Sequence, residues 1–136
     1  MQLIKKLSEP RILLFLGVAY TIFITVISLL PASEIPNIKI SNADKIAHIL
    51  IHAVLSLMWL WFCFTANKGQ ISGKNISVVL VLCFLYGLGI EAGQKWFVTS
   101  RTFDLYDVVA NCLGSIFGLI LYIVISSKLS RLLFGR

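Results

Sequence analysis

Apolar residues fill four long stretches of the chain, and polar residues gather between them. These stretches run over 12–30, 46–66, 76–97 and 105–125. A bilayer core of about 30 Å needs about 20 apolar helical residues to cross it. The pattern therefore predicts an all-α integral membrane protein, a compact antiparallel bundle of four transmembrane helices in one domain over 1–136.

The composition agrees with a membrane protein. Hydrophobic residues make up 58% of the chain and charged residues 13%. Soluble domains average about 45–50% apolar and about 25% charged residues. The net charge of +6 comes from Lys and Arg at the ends of the apolar stretches, so membrane topology explains it and no nucleic-acid partner is expected.

The distribution of Lys and Arg predicts how the bundle is oriented. With four spans, eight of them fall on one side of the membrane and four on the other. Because Lys and Arg accumulate on the cytoplasmic side, we expect both termini and the 67–75 loop to be cytoplasmic. The 31–45 and 98–104 connections are then extracytoplasmic.

Three of the predicted helices carry a polar stripe near their extracytoplasmic end. Residues spaced by three or four share one face of a helix. The stripes are Asp44, His48 and His52 in the second helix, Glu91, Gln94 and Lys95 in the third, and Asp104, Asp107 and Asn111 in the fourth. Polar groups inside a membrane face the bundle interior or a wet cavity. We therefore expect one shared, outward-facing polar pocket.

Three sequence motifs give the chain a family resemblance. They are "DKIAH" at 44–48, "EAGQ" at 91–94 and "RTFDLYDVVANCLGSIFG" at 101–118. Their order and spacing resemble the VanZ-like family of bacterial membrane proteins. The resemblance carries over a set of polar positions, namely Asp44, Lys45, His48, Glu91, Gln94, Arg101, Asp107 and Asn111.

The family resemblance implies a role at the cell envelope. The family takes its name from a protein that gives low-level resistance to the glycopeptide teicoplanin. By this resemblance, 1–136 is a VanZ-like domain in a bacterial cytoplasmic membrane. Its pocket would bind or act on an envelope lipid, a cell-wall precursor or a glycopeptide. No protein partner is indicated, and the sequence leaves the oligomeric state open.

Two kinds of chemistry are open for the pocket. In a membrane-embedded hydrolase or transferase acting on an outer-leaflet lipid phosphate, the catalytic residues would be His48, Glu91 and Asp107. In either an enzyme or a binding protein, the ligand would be held by Asp44, Lys45, Gln94, Arg101, Asp104 and Asn111. Burial beside carboxylates tunes a His for proton transfer, and cations or helix N-termini hold phosphates.

Other interpretations of the same residues remain. We expect no cofactor, and the alternative metal site would use His48, His52, Glu91 and Asp107, since His residues four apart can share a metal. Asp104 would cap the fourth helix. Glu91 would pair with Lys95 or Arg101 if its role were structural. The absence of broken helices or an inverted repeat argues against a transporter.

Overall fold

The computed structural model describes residues 6–30, 43–98 and 102–135. Four long helices lie in these ranges: α1 over Pro10–Ser28, α2 over Ala43–Ala66, α3 over Gly73–Phe97 and α4 over Leu105–Phe134. Each is long and apolar enough to cross a membrane. The prediction of an all-α bundle of four membrane-spanning helices is therefore confirmed, and the chain is a multi-pass membrane protein.

Local signals set the helix ends more sharply than apolarity does. α1 begins at Pro10, where the missing N–H of proline is not needed. α3 begins earlier than residue 76, because the Ser72 hydroxyl accepts a hydrogen bond from the Asn75 N–H at 3.2 Å. α4 continues well past residue 125 and ends at Gly135, whose φ of 73° is the left-handed conformation that terminates helices.

Consecutive helices run antiparallel, so α2 and α4 run parallel to each other. Lys45 contacts the first turn of α4, Ile49 lies against Gly114, and Ala53 lies against Gly118. Both helices therefore begin at the same end of the bundle, and α3 ends there. We call this the polar end.

The interface between α2 and α4 is the most extensive in the bundle. A Cβ added at Gly114 would meet the Ile49 carbonyl oxygen, and one added at Gly118 would meet the Ala53 carbonyl oxygen and the Ser56 hydroxyl. The Ser56 hydroxyl donates to the Ser115 carbonyl at 3.1 Å. Small residues let helix backbones approach closely in membranes. This interface, which we call the seam, therefore fixes α2 and α4 against each other, and these two helices carry most of the polar side chains.

The apolar core occupies the half of the bundle away from the polar end. Leu60 and Phe64 from α2 are almost fully buried there, with Val79 from α3 and Tyr122 from α4. Phe64 makes edge contacts with Tyr122 and Phe134, with ring centroids 5.9 and 5.8 Å apart. The outer surface of the helices is also apolar, as in Phe15 at 71% exposure, which suits a lipid surrounding.

Candidate functional site

The polar end brings together side chains from three helices. Lys45 and His48 come from α2, Glu91 from α3, and Asp107 and Asn111 from α4. They meet because α2 and α4 start at this end while α3 finishes there. The structure thus gathers in one place these five residues, which lie on three separate helices.

Lys45 is the centre of a charge cluster between α2 and α4. Its ammonium nitrogen lies 2.9 Å from Asp107 Oδ1, 3.1 Å from Asp104 Oδ2 and 3.0 Å from Asp44 Oδ2. One positive charge therefore serves three carboxylates. The side chain of Lys45 remains 27% exposed, so solvent reaches the outer rim of the cluster.

Asp104 caps α4, as the sequence predicted. Its Oδ1 accepts a hydrogen bond from the Tyr106 N–H at 2.8 Å. This N–H and the Lys45 ammonium group hold the pKa of the Asp104 carboxyl below its usual value. The cap fixes where α4 begins and thereby the level of Asp107, three residues later.

His48 is oriented from both ring nitrogens. Its Nδ1 lies 3.0 Å from Asn111 Oδ1, and its Nε2 lies 3.6 Å from Asp107 Oδ2. An amide oxygen is an acceptor, so Nδ1 carries the proton and donates to Asn111. In the neutral ring, Nε2 then has a free lone pair that faces the carboxylate of Asp107.

Glu91 is fully buried, with 0% of its surface exposed. Neither carboxylate oxygen has a hydrogen-bond partner among the residues that the structure describes. A Glu91 oxygen, an Asp107 oxygen and a His48 nitrogen all lie within 4.8 Å of one another. The carboxylate therefore faces into the cluster, while Lys95 is exposed on the outside of α3. Arg101, the other expected partner, lies outside the described residues.

Two predicted site residues make other contacts. The Gln94 amide donates to the Ser28 carbonyl at 2.9 Å, which ties α3 to the last residue of α1. His52 is buried one turn deeper than His48, with its ring centroid 6.1 Å from that of Tyr86. Three of the four alternative metal ligands thus come together, and His52 is not in that group.

Gly87 is a site residue that the sequence pattern did not single out. A Cβ at this position would lie 3.0 Å from both His52 Cε1 and Asn111 Nδ2. Gly87 precedes Glu91 by one helical turn, so the two share a face of α3. This spacing of four residues was the signal in the sequence that could have identified Gly87. The missing side chain lets α3 press against the polar stripe of α4.

Tyr86 binds α1 to α3 just below the site. Its hydroxyl lies 2.8 Å from Thr25 Oγ1 and donates to the Thr21 carbonyl at 3.1 Å. Tyr86 also lines an apolar cavity of about 570 Å³ between α1, α2 and α3, together with Leu55, Trp59 and Val79. This cavity has the size of pockets that take small molecules, about 300–1,000 Å³.

Large aromatic residues are exposed around the polar end. Trp96 and Phe97 at the end of α3 are 76% and 78% exposed, and Tyr106 at the start of α4 is 73% exposed. Trp and Tyr are enriched where membrane and water meet. Their position suits a site that lies at the level of lipid head groups.

Comparison with known proteins identifies the family of this chain. A family model described as VanZ/LLP1 matches residues 6–126. A protein of Schizosaccharomyces pombe described as uncharacterised is 32% identical over 90 residues, which are 65% of this chain and 52% of that relative. The matched part therefore spans about half of the relative's length. No solved structure matches the chain. Because the relative is fungal, the expected bacterial origin stays a prediction.

Proposed function

Since this chain belongs to the VanZ-like family, we propose that it binds the head group of an envelope lipid or lipid-linked cell-wall precursor at its polar end. One observation carries this proposal. Glu91 is fully buried without a hydrogen-bond partner among the described residues, and it faces His48 and Asp107 from two other helices. Ionisable residues within membrane helices mark functional sites by default, because an unpaired charge there is costly.

The surroundings of the site favour a lipid over a soluble ligand. The exposed aromatic residues Trp96, Phe97 and Tyr106 ring the same end of the bundle. The apolar cavity starts at Tyr86, whose ring neighbours the buried His52. None of the described residues of the polar cluster lines this cavity, so the apolar chain of a bound lipid would lie on the exposed apolar surface of the helices.

The charges of the site restrict the ligand further. Among the residues that the structure describes, the site holds four carboxylates, those of Asp44, Glu91, Asp104 and Asp107, and one ammonium group, that of Lys45, which already contacts three of them. A bare phosphate would be repelled by this excess of carboxylates. The described charges therefore favour a ligand with an ammonium group in its head group, or one that binds together with a cation.

Lipid retention tests this function. The full chain is purified with the lipids of its own membrane, and the bound lipids are identified by mass spectrometry. We expect one lipid class to be enriched over the bulk membrane. The enrichment should be lost in Asp107→Asn and kept in Glu9→Gln, because Glu9 is exposed at the opposite end. The same lipid profile in all three proteins would contradict head-group binding.

A second candidate function is hydrolysis or transfer at an outer-leaflet lipid phosphate. The geometry of His48 favours it, since Asn111 fixes Nδ1 as the protonated nitrogen and leaves Nε2 free to accept a proton. A carboxylate beside the ring stabilises the imidazolium that forms. Turnover of a retained lipid phosphate by wild type, but not by His48→Gln, would establish catalysis. Retention without turnover would leave binding as the function.

In cells, the family predicts a phenotype for this site. Teicoplanin-type resistance is the property that gives the family its name, so we propose that expression of this chain lowers glycopeptide susceptibility. We expect Asp107→Asn to abolish this effect at equal protein level. Equal susceptibility with and without the wild-type chain would remove the resistance role and leave lipid binding to be judged by retention.

A further inference from the structure

The donor atoms at the polar end have the composition of a metal site. A His48 nitrogen, a Glu91 oxygen and an Asp107 oxygen lie within 4.8 Å of one another, and each comes from a different helix. Donor atoms bound to one metal at about 2.0–2.2 Å in a tetrahedral site lie about 3.3–3.6 Å from one another. His48 Nε2 and Asp107 Oδ2 are already 3.6 Å apart. A shift of the Glu91 carboxylate by up to about 1 Å would therefore bring all three onto one ion.

We propose that His48, Glu91 and Asp107 bind a divalent metal ion of the Zn²⁺ or Mn²⁺ class. This inference deepens the proposed function and rests on it in one respect, because the ion would supply the positive charge that a phosphate head group needs at this site. Imidazole and carboxylate together are ligands that suit such ions. Binding of the ion itself requires only these three side chains and no lipid.

Glu91 gives the first support beyond the grouping itself. Its side chain is 0% exposed, and both oxygens are without a hydrogen-bond partner among the described residues. Buried polar groups in native proteins nearly always have a partner. Here the carboxylate faces a His48 nitrogen and an Asp107 oxygen, two atoms of the types that bind metals. A cation between the three side chains would give the Glu91 carboxylate its missing partner.

His48 gives a second, independent support. A metal-binding His commonly donates its other ring N–H to a carbonyl or carboxylate, which fixes the tautomer and the ring orientation. The Nδ1 of His48 lies 3.0 Å from Asn111 Oδ1. In the neutral ring Nε2 then carries the lone pair, and it is turned toward Asp107, as a metal ligand requires.

Asp107 is arranged so that its two oxygens have different roles. Oδ1 lies 2.9 Å from the Lys45 ammonium group, while Oδ2 lies 3.6 Å from His48 Nε2. Lys45 therefore holds the carboxylate in place without occupying the oxygen that faces the cluster. A divalent ion would also balance two of the excess negative charges around Lys45.

Metal titration of the whole protein tests the inference. The chain is purified in detergent, treated with EDTA, and titrated with Zn²⁺ and with Mn²⁺ by calorimetry. We expect one equivalent to bind, with affinity lowered at least about tenfold in Glu91→Gln and in Asp107→Asn. The matched carboxylate control Glu9→Gln should bind as wild type does. No saturable binding by wild type, or equal binding by Glu91→Gln, would overturn the proposal.

The wild-type protein alone gives a second measurement, which decides the matter where a variant does not fold. Co²⁺ is added in place of Zn²⁺ and the visible absorption is recorded. Ligation by one imidazole and carboxylates predicts weak bands without a sulfur-to-metal charge-transfer band. A charge-transfer band would mean that Cys63, Cys83 or Cys112 binds the ion, and the proposed ligand set would be wrong.

Nanodiscs containing phosphatidylglycerol separate the metal inference from the proposed function. Lipid phosphate bound to the protein is measured with Mn²⁺ and with EDTA, and inorganic phosphate serves as the head group without chains. Retention that needs Mn²⁺ supports both ideas. Metal binding without any lipid or phosphate retention would sustain the ion and refute the lipid function. Equal retention with EDTA would sustain the lipid function and refute the bridging ion.

Discussion

Glu91 differs from Lys45, Asp104 and Asp107 because its carboxylate has no hydrogen-bond partner among the residues that the structure describes. Lys45 contacts three carboxylates, Asp104 caps a helix, and Asp107 contacts Lys45. A buried group without a partner costs about 1–3 kcal/mol, and more when it is charged. We therefore expect Glu91 to lower the stability of the ligand-free bundle and to serve a ligand.

Replacing Glu91 by Gln therefore tests whether Glu91 binds a ligand or stabilises the bundle. Glu91→Gln keeps the shape and removes the charge, so we expect the metal-free protein to be as stable as wild type or more stable by about 1 kcal/mol. Lipid retention should be lost. Thermal melting in detergent, read by circular dichroism, gives the first quantity. A variant that melts clearly earlier yet retains lipid would make Glu91 a structural brace.

Asp104 provides a prediction about pH. Its folded-state pKa is lowered by the Tyr106 N–H and by Lys45, so its ionised form contributes stability above the unfolded pKa of about 3.9. That contribution is lost as the pH falls through the folded pKa. Asp104→Asn keeps a capping oxygen but not the charge.

The measurement for Asp104 is a difference in melting temperature. We expect wild type to melt higher than Asp104→Asn at pH 6, with the gap closing as the pH is lowered below about 4. Comparing the two proteins cancels the titration of the other carboxylates. A gap that stays constant with pH would mean that the Lys45–Asp104 contact does not stabilise the bundle.

At the scale of the helices, the seam between α2 and α4 is the contact on which the site depends. A Cβ at Gly118 would collide with the Ala53 carbonyl and the Ser56 hydroxyl, whereas a Cβ at Gly89 would meet nothing within 4 Å. We expect Gly118→Ala to destabilise the protein by about 1–3 kcal/mol. Gly89→Ala should change stability by no more than about 1 kcal/mol. Thermal melting of the two variants side by side checks this, and equal effects would contradict the packed seam.

The sequence predicts which helices exist better than it predicts where they end or how they are turned. Apolar length located all four spans, but the capping contacts of Ser72 and the left-handed Gly135 decide the boundaries. The spacing of Asp107 and Asn111 correctly placed them on one stripe. Gln94 was predicted as a pocket residue, and the structure shows that its amide donates to the Ser28 carbonyl, a contact with α1 that the spacing along α3 does not predict.

The same limit applies to the charges in the pocket. Periodicity placed His48, Glu91 and Asp107 on the polar stripes of three helices, and the structure brings them together. Periodicity could not show that Lys45 contacts three carboxylates, or that Glu91 has no hydrogen-bond partner in the part of the chain that the structure describes. Pairing depends on distances between helices, which spacing along one helix does not contain.

For the whole molecule, the orientation in the membrane remains a prediction. The distribution of Lys and Arg places the 67–75 loop in the cytoplasm and the polar end outside. In a background without Cys63, Cys83 and Cys112, an impermeant thiol reagent added to intact cells should label Thr102→Cys and not Gln70→Cys. The opposite labelling pattern would invert the protein and put the site in the cytoplasm.

The stripe on α4 also bears on how this chain can change over evolution. Asp107, Asn111, Gly114 and Gly118 serve the pocket and the seam from one continuous face. Each residue of an α-helix advances by about 100°, so a single insertion or deletion between 107 and 118 would turn the pocket away from the seam. The turn after α2 at 67–72 carries no such coupling to the pocket. We therefore expect related chains to vary in length in that turn and to keep a fixed length between 107 and 118.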